Sequence, residues 1–277
     1  MKKEYLITQE DHQSRIDIFA YRHQINKKAL KGIKMRGDIL VNGVHQTVRY
    51  LLNEGDILTF VYPSEENHIC PEKIPLAIIY EDDYLLVVNK PKGMACIPTR
   101  QHPHHTLANA LSAYYQEIGL SSTVHLVNRL DKDTTGLMLV AKYRDIHYQM
   151  SQNIMHIYRR YHAHVEGKVD QGLIDLPIYR DDFHMKRIID KRGKPSRTHY
   201  RCLHYQNQVS FVECILETGR THQIRVHMAA IGHPLVGDSL YGSGEGEFDL
   251  ESVMIAFWHP VTKQCITITK KHKYRHF

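Results

Sequence analysis

The sequence predicts an α+β fold: a small N-terminal unit, a linker, and a larger domain built on a mixed, mainly antiparallel sheet. Three observations carry that expectation. Strand-like and helix-like segments follow one another without regular βαβ alternation, an Asn-Gly turn lies between short apolar runs near the start, and a charged stretch with two prolines separates residues 1–63 from residues 76–277.

In the first unit, the stretch from Ile16 to Ile33 carries many Lys and Arg and reads as helical. Asp38 to Gln46 reads as strand, turn at Asn42–Gly43 and strand, because Asn-Gly between apolar residues favours a two-residue hairpin. Glu54, Gly55 and Asp56 then turn the chain into a last strand. Residues 64–75, with Pro71 and Pro75, read as a linker giving a flexible junction. In residues 76–277, Ile78 to Gly93 reads as strand, acidic turn and strand. Leu107, Leu111, Tyr114 and Ile118 recur at helical spacing before Gly119, which predicts an amphipathic helix with a stop. A polar loop from Asn128 to Gly136 lies between apolar segments. Asp145 to Tyr158 is expected to be helical, Arg160–Gly167 alternates as a strand, Thr198–Tyr205 and Val209–Leu216 follow as strands, and Ile224, Met228 and Ile231 mark a further helix.

Composition bounds the function. The 277 residues are 42% hydrophobic, and no apolar run reaches the roughly 18 residues of a membrane span. The first residues turn polar and acidic instead of entering a signal-peptide core, so a soluble, cytoplasmic protein is expected. Five scattered cysteines without a CxxC pair fit a reducing compartment and neither a disulfide framework nor a zinc ribbon. The 21 histidines raise the question of metal. His102, His104 and His105 flank a proline in a loop, however, and His222 and His227 are five apart, which is poor spacing for one helix face; no metal or other cofactor is expected. The net charge of +6 favours a polyanionic partner, since Lys and Arg displace counterions from phosphates.

The densest polar stretch is Asn128-Arg129-Leu130-Asp131-Lys132-Asp133-Thr134-Thr135-Gly136. Loops held by a scaffold are where reactive groups tend to lie, and an Asp beside an Arg can be oriented by an ion pair. Alone, this motif more often marks a surface salt bridge or a cap. In order along the chain, however, stand Asn89-Lys90-Pro91-Lys92-Gly93, the Asp131 loop, Tyr161-His162-Ala163-His164-Val165-Glu166-Gly167, and Thr218 through Gly242. These four blocks resemble the NKPxG, HRLDxxTSG, YxAxVxG and TGRxHQxRxHxxxxGHPxxGDxxYG motifs of the RluA-like pseudouridine synthases. Val41–Gly43 and Gly55–Asp56, following a basic helical stretch, resemble the landmarks of an S4-type RNA-binding domain.

The resemblance implies a catalytic domain with a central cleft that isomerises specific uridines of structured RNA, ribosomal or transfer, without cofactor. It makes Asp131 the nucleophile, Tyr161 the residue packed on the flipped base, and Arg225 the partner of Asp131. Arg129 would enter the duplex as the base leaves, and Asn128, Lys90, Arg220, His222 and Gln223 would shape the pocket or RNA path. Gly237 and Asp238 match residues that support the site. The basic run Lys186, Arg187, Lys191, Arg192, Lys194 and Arg197 reads as an RNA-facing loop. Asp131 has two routes open to it, attack at the sugar C1′ or removal of a C2′ proton. The alternatives weighed are a non-catalytic RNA-binding or ribosome-assembly protein with the same fold, and a metal-dependent phosphoester hydrolase. The chain departs from the family at Asn128, where His is usual, at Thr135 of the TTG triplet, at Met254-Ile255-Ala256, and in its ending KKHKYRHF. A monomer is expected.

Overall fold

The computed structural model describes residues 1–23, 25–152, 154–181 and 186–270. The ending that departs from the family pattern falls largely in residues 271–277, outside the described residues. The first sheet contains β1 (Lys2–Leu6), β2 (Asp38–Val41), β3 (Val44–His45) and β4 (Ile57–Val61), in the antiparallel order β1-β4-β2-β3, with α1 (Ile16–Arg22) and α2 (Lys27–Arg36) packed on it. The β2–β3 hairpin turns at Asn42 and Gly43, whose φ values of 51° and 80° are those a tight hairpin requires. The expected helix over Ile16 to Ile33 is two helices, because Asn26 takes the N-cap position: its side chain accepts the Ala29 N–H at 2.9 Å and starts α2 afresh. β1 is an element that sequence reading missed. Its partner β4 is more than fifty residues away, and KKEYL has little apolar signal of its own.

Residues 64–75 form no helix or strand, as a linker should, but the expected flexible junction needs correcting. Ser112 Oγ donates to the Ile69 carbonyl at 2.8 Å and Asn109 Nδ2 to that of Cys70 at 2.7 Å, which straps the segment along the following helix. A buried Lys3–Asp145 ion pair further ties β1 to the second unit.

The larger sheet is ten-stranded among the described residues. In chain order its strands are β5 (Ile78–Glu81), β6 (Leu85–Lys90), β7 (His125–Leu126), β8 (Thr135–Ala141), β9 (Tyr158–Glu166), β10 (Gln171–Asp175), β13 (Arg197–Gln206), β14 (Val209–Leu216), β15 (Leu250–Trp258) and β16 (Cys265–Thr269). β11 (Ile178–Arg180) and β12 (Arg187–Ile189) make a separate antiparallel pair. The order β10-β13-β14-β9-β15-β8-β6-β5, with β7 on β8 and β16 on β15, is antiparallel except where β15 meets β8.

Both faces of the central strands are buried. Leu86, Val88, Met138 and Val140 pack under α3 (Leu107–Glu117) and α5 (Gln223–Ala230), whereas Leu85, Val87, Leu137 and Leu139 pack with Ile146 and Met150 of α4 (Arg144–Gln152). This is why β6 and β8 read as unbroken apolar runs, where a strand with one wet face would alternate. Two expectations are corrected here. The helix predicted to Tyr158 ends at Gln152, because Tyr158 onward is claimed by pairing with β15 and β14. The basic run is not one loop: Arg187 lies in β12, Arg197 opens β13, and the stretch between turns where the Gly193 N–H donates to the Asp190 carbonyl.

The parallel contact depends on Gly136. Its φ is +104°, and a Cβ built there would lie 2.2 Å from the Ser252 carbonyl oxygen. Gly136→Ala should therefore cost roughly 3 kcal/mol or more, from the unfavourable φ plus the clash. Chemical denaturation checks this; a loss under about 1 kcal/mol would mean β15 can move off β8 without penalty.

Candidate active site

The Asp131 loop leaves the end of β7 and returns as β8, and buried hydrogen bonds hold both of its flanks. Asn128 Oδ1 accepts the Leu139 N–H at 2.7 Å, which pins the loop to β8. Lys90, at the end of β6, donates from Nζ to the carbonyls of Pro91, Met94 and Lys132 at 2.8–2.9 Å. Lys90 is fully buried, and desolvation pushes its pKa down to about 8. Lys90 lies off the cavity surface, whereas Asn128 lines it with Nδ2 unbonded among the described residues while its Oδ1 is spent on the backbone. Their geometry is that of loop anchors.

Asp131 lines a cavity of about 690 Å³ together with Tyr161, Arg225, His222, Arg129 and Arg220. The expected pairing is present, with Arg225 Nη1 3.5 Å from Asp131 Oδ2, but Arg225 has a tighter partner. Asp238 accepts its Nε and Nη2 in two hydrogen bonds of 2.7 Å, and the Tyr241 and Phe248 rings flank the guanidinium at 5.2 and 5.3 Å. Burial alone would raise the Asp238 pKa. Arg225 and the N–H groups of Leu240 and Tyr241 overcome it and hold the carboxyl below the usual range. Asp238 thus fixes Arg225, and Arg225 presents its remaining Nη1 to Asp131.

His222 occupies the N-cap of α5 at φ +57°, with Nε2 3.9 Å from Asp131. The Tyr241 hydroxyl accepts the Arg187 N–H at 2.8 Å and lies 2.8 Å from His222 Nδ1. Its own proton is available to Nδ1, and when it is donated there the ring N–H stands on Nε2, facing Asp131. Burial, helped by Arg225 and Arg187, lowers the His222 pKa, which favours this neutral ring. Tyr161 is buried, and desolvation raises its phenol pKa despite nearby Arg159, so the hydroxyl stays protonated.

The other expected residues divide. Arg129 is exposed at the rim with no hydrogen bond or ion pair among the described residues, free to reach a ligand. Arg220 is exposed and bonds the Pro195 carbonyl through Nε. Gln223 is 3% exposed and committed: Oε1 accepts from Thr218 Oγ1 and the Arg220 N–H, and Nε2 donates to Arg197 O and Thr198 Oγ1. It therefore braces the turn before α5. Sequence reading passed over Arg159 and Arg180, which also line the cavity, as does Arg187 of the basic run. Arg159 had a signal available, since strand alternation puts it on the same face as Tyr161. Among the described charged residues lining the cavity, Asp131 is the lone acid; the others are Arg129, Lys132, Arg159, Arg180, Arg187, Arg220 and Arg225. No three His, Cys, Asp or Glu side chains converge as metal ligands, and no helix is long and apolar enough to cross a membrane, both among the described residues.

A mixed antiparallel sheet carrying one carboxylate in an arginine-lined cavity describes an enzyme that works on a polyanion. The model of the RNA pseudouridylate synthase family matches residues 84–230, and the chain belongs to that family. The uncharacterized RNA pseudouridine synthase YjbO of Bacillus subtilis is 43% identical over 251 residues, covering 87% of this chain and 89% of its own. The ribosomal large subunit pseudouridine synthase D of Nitrosomonas europaea is 43% identical over 175 residues, 62% of this chain and 51% of that relative. Among solved structures, human RNA pseudouridylate synthase domain containing 1 superposes with a TM-score of 0.59 at 25% identity, covering 73% of this chain and 85% of that one.

Removing one member of a buried pair strands the other, so Asp238→Ala should cost about 3–5 kcal/mol. The pair also carries a pH signature. Because the folded pKa of Asp238 is depressed, its stabilisation is present above the unfolded value of about 3.9 and is lost as pH falls through the folded pKa. Wild type should lose stability across that acid window more steeply than Asp238→Ala. Denaturation midpoints from pH 5 to 2 test it, and parallel curves would mean the pair is not coupled to folding.

Proposed function

We propose that this chain isomerises specific uridines of structured RNA to pseudouridine, with Asp131 as the reacting carboxylate. One observation carries the reading. Among the described residues Asp131 is the single acid lining a cavity with seven Lys and Arg side chains, 3.5 Å from an arginine that Asp238 holds in place. The reaction requires the uracil to detach at N1, turn, and rejoin the sugar through C5. A carboxylate can take the sugar at C1′, or take its C2′ proton, and in either route the fixed cations balance the charge that develops. The cavity accommodates an extruded nucleotide, whose unstacking costs a few kcal/mol that contacts such as Arg129 would offset. Tyr161 offers a ring on which the base can pack. A non-catalytic RNA-binding role gives no reason for Asp131, Arg225 and Asp238 to be aligned in this way.

Large-subunit ribosomal RNA is the first substrate to test, since that is what the Nitrosomonas relative is named for. Total RNA tritiated at C5 of uridine, from cells lacking this protein, should release tritium with wild type and not with Asp131→Asn, while RNA affinity stays within about twofold. Turnover by Asp131→Asn at the wild-type rate would end the role given to Asp131.

Residues 1–63 are proposed to be an S4-like domain that docks the RNA. Lys27, Lys28, Lys31 and Lys34 of α2 are all exposed. Changing the four to Gln should weaken RNA binding and flatten the dependence of log affinity on log salt by about 0.7–0.9 per lost phosphate contact. An unchanged slope would place the RNA elsewhere.

A further inference from the structure

Arg159 is 3% exposed, and its electrostatic position is unusual. Nε donates to the Ile157 carbonyl at 3.2 Å, Nη1 packs so closely on Gly219 that a Cβ there would lie 2.6 Å from it, and Nη2 has no hydrogen-bond partner. No carboxylate pairs with it among the described residues. A desolvated guanidinium with an unpaired N–H costs several kcal/mol unless something completes it. Strand alternation on β9 sends Arg159 to the same face as Tyr161, and both line the Asp131 cavity. The missing partner therefore belongs in that cavity.

We infer that Arg159 binds a carbonyl oxygen of the extruded uracil and holds the base while it is detached. The inference rests on the uridine-isomerase reading. The burial of Arg159 selects a base over a phosphate. Phosphates travel with the RNA backbone at the rim of the cavity, where exposed Arg129 and Arg220 meet them, and a flipped base is the part of the substrate that reaches a buried residue. The chemistry selects it too. When the C1′–N1 bond breaks, the electron pair leaves with N1, and the base becomes a monoanion with its charge on N1, O2 and O4. C1′ is then bonded to the Asp131 carboxylate, or doubly bonded to C2′ if that carboxylate has taken the C2′ proton. When C5 rejoins C1′, the C5 proton departs and N1 gains one; in the first route the C1′–O bond to Asp131 breaks and its electron pair returns to the carboxylate, and in the second C2′ regains its proton from Asp131. The product is an isomer and no oxidant is involved. A cation on O2 or O4 neutralises the anion at every stage, so the base can turn without escaping.

The test is single-turnover rate at saturating RNA, using a transcript that spans the uridine located by tritium release and the same RNA with 5-fluorouridine at that position. Conversion of the N-linked nucleoside is read after digestion. Fluorine stabilises the uracil anion, so an enzyme deprived of its cation should recover on that substrate. Arg159→Met should lower the rate on uridine about 100-fold or more, with RNA affinity within about twofold, and its deficit on 5-fluorouridine should be about tenfold smaller. Arg159→Lys should retain most of the rate. Gly219→Ala, which presses on Nη1 from behind, should give a smaller loss with the same sensitivity to the leaving base, and it serves if the Met variant melts early. Equal deficits on both substrates would overturn the inference, as would an affinity loss with an unchanged saturated rate, which marks a phosphate contact. Absence of wild-type turnover would sink the isomerase reading and this inference together; normal wild-type turnover lost in Asp131→Asn leaves Arg159 judged alone.

Discussion

The bidentate bond between Arg225 and Asp238 is the constraint on which the site depends. A guanidinium has five donors in a rigid plane, so fixing Nε and Nη2 on one carboxylate determines where Nη1 points. Here it points at Asp131. Asp238 is itself immobilised by two backbone N–H groups, and the Tyr241 and Phe248 rings flank the cation. The orientation of the Asp131 carboxylate is thus set by an acid more than one hundred residues further along the chain, through one intervening arginine.

That arrangement would be useless if the loop bearing Asp131 could drift, and the sheet prevents it. Strands β6 and β8 are buried on both faces, so they can neither slip register nor tilt without opening one of two cores. The loop is tied to both: to β8 by Asn128, and to the end of β6 by Lys90. A buried ammonium is an expensive way to hold a backbone, and three carbonyl acceptors are what make it tolerable. The rim of the cavity is built differently. Arg129 and Arg220 are exposed, where solvated charges can meet phosphate without a large desolvation cost.

Much of this was legible from sequence, and what was not has a physical reason. The Asp131 loop, α3 and α5 carry dense local signals: helical spacing, a Gly stop, a polar island between apolar strands. β1 does not, since its partner lies far along the chain and KKEYL is largely charged, and the strands of the β11–β12 pair are only three residues long. The polar motif residues were harder still. Lys90, Asn128 and Gln223 look like ligands for RNA because they are polar and belong to motifs, but each of them is buried and spends hydrogen bonds on the backbone around the site. Polarity in a motif says that a hydrogen bond is needed there, and only the fold says with what. Arg159 shows the converse, a residue that reads as an ordinary strand cation and proves to be buried with a donor to spare.

Asn128 bears on how this chain departs from the motif it resembles. Where that motif has His, the amide oxygen accepts the Leu139 N–H. An imidazole could accept the same bond only while neutral, and near its ordinary pKa of about 6.5 a fraction of the rings would be protonated and unable to do so. An amide does not titrate, so the anchor of the Asp131 loop is insensitive to pH across that range. The substitution therefore removes a titratable group from the loop and keeps its acceptor. Of the titratable groups that line the cavity beside Asp131, Tyr161 and His222 are both held neutral by burial.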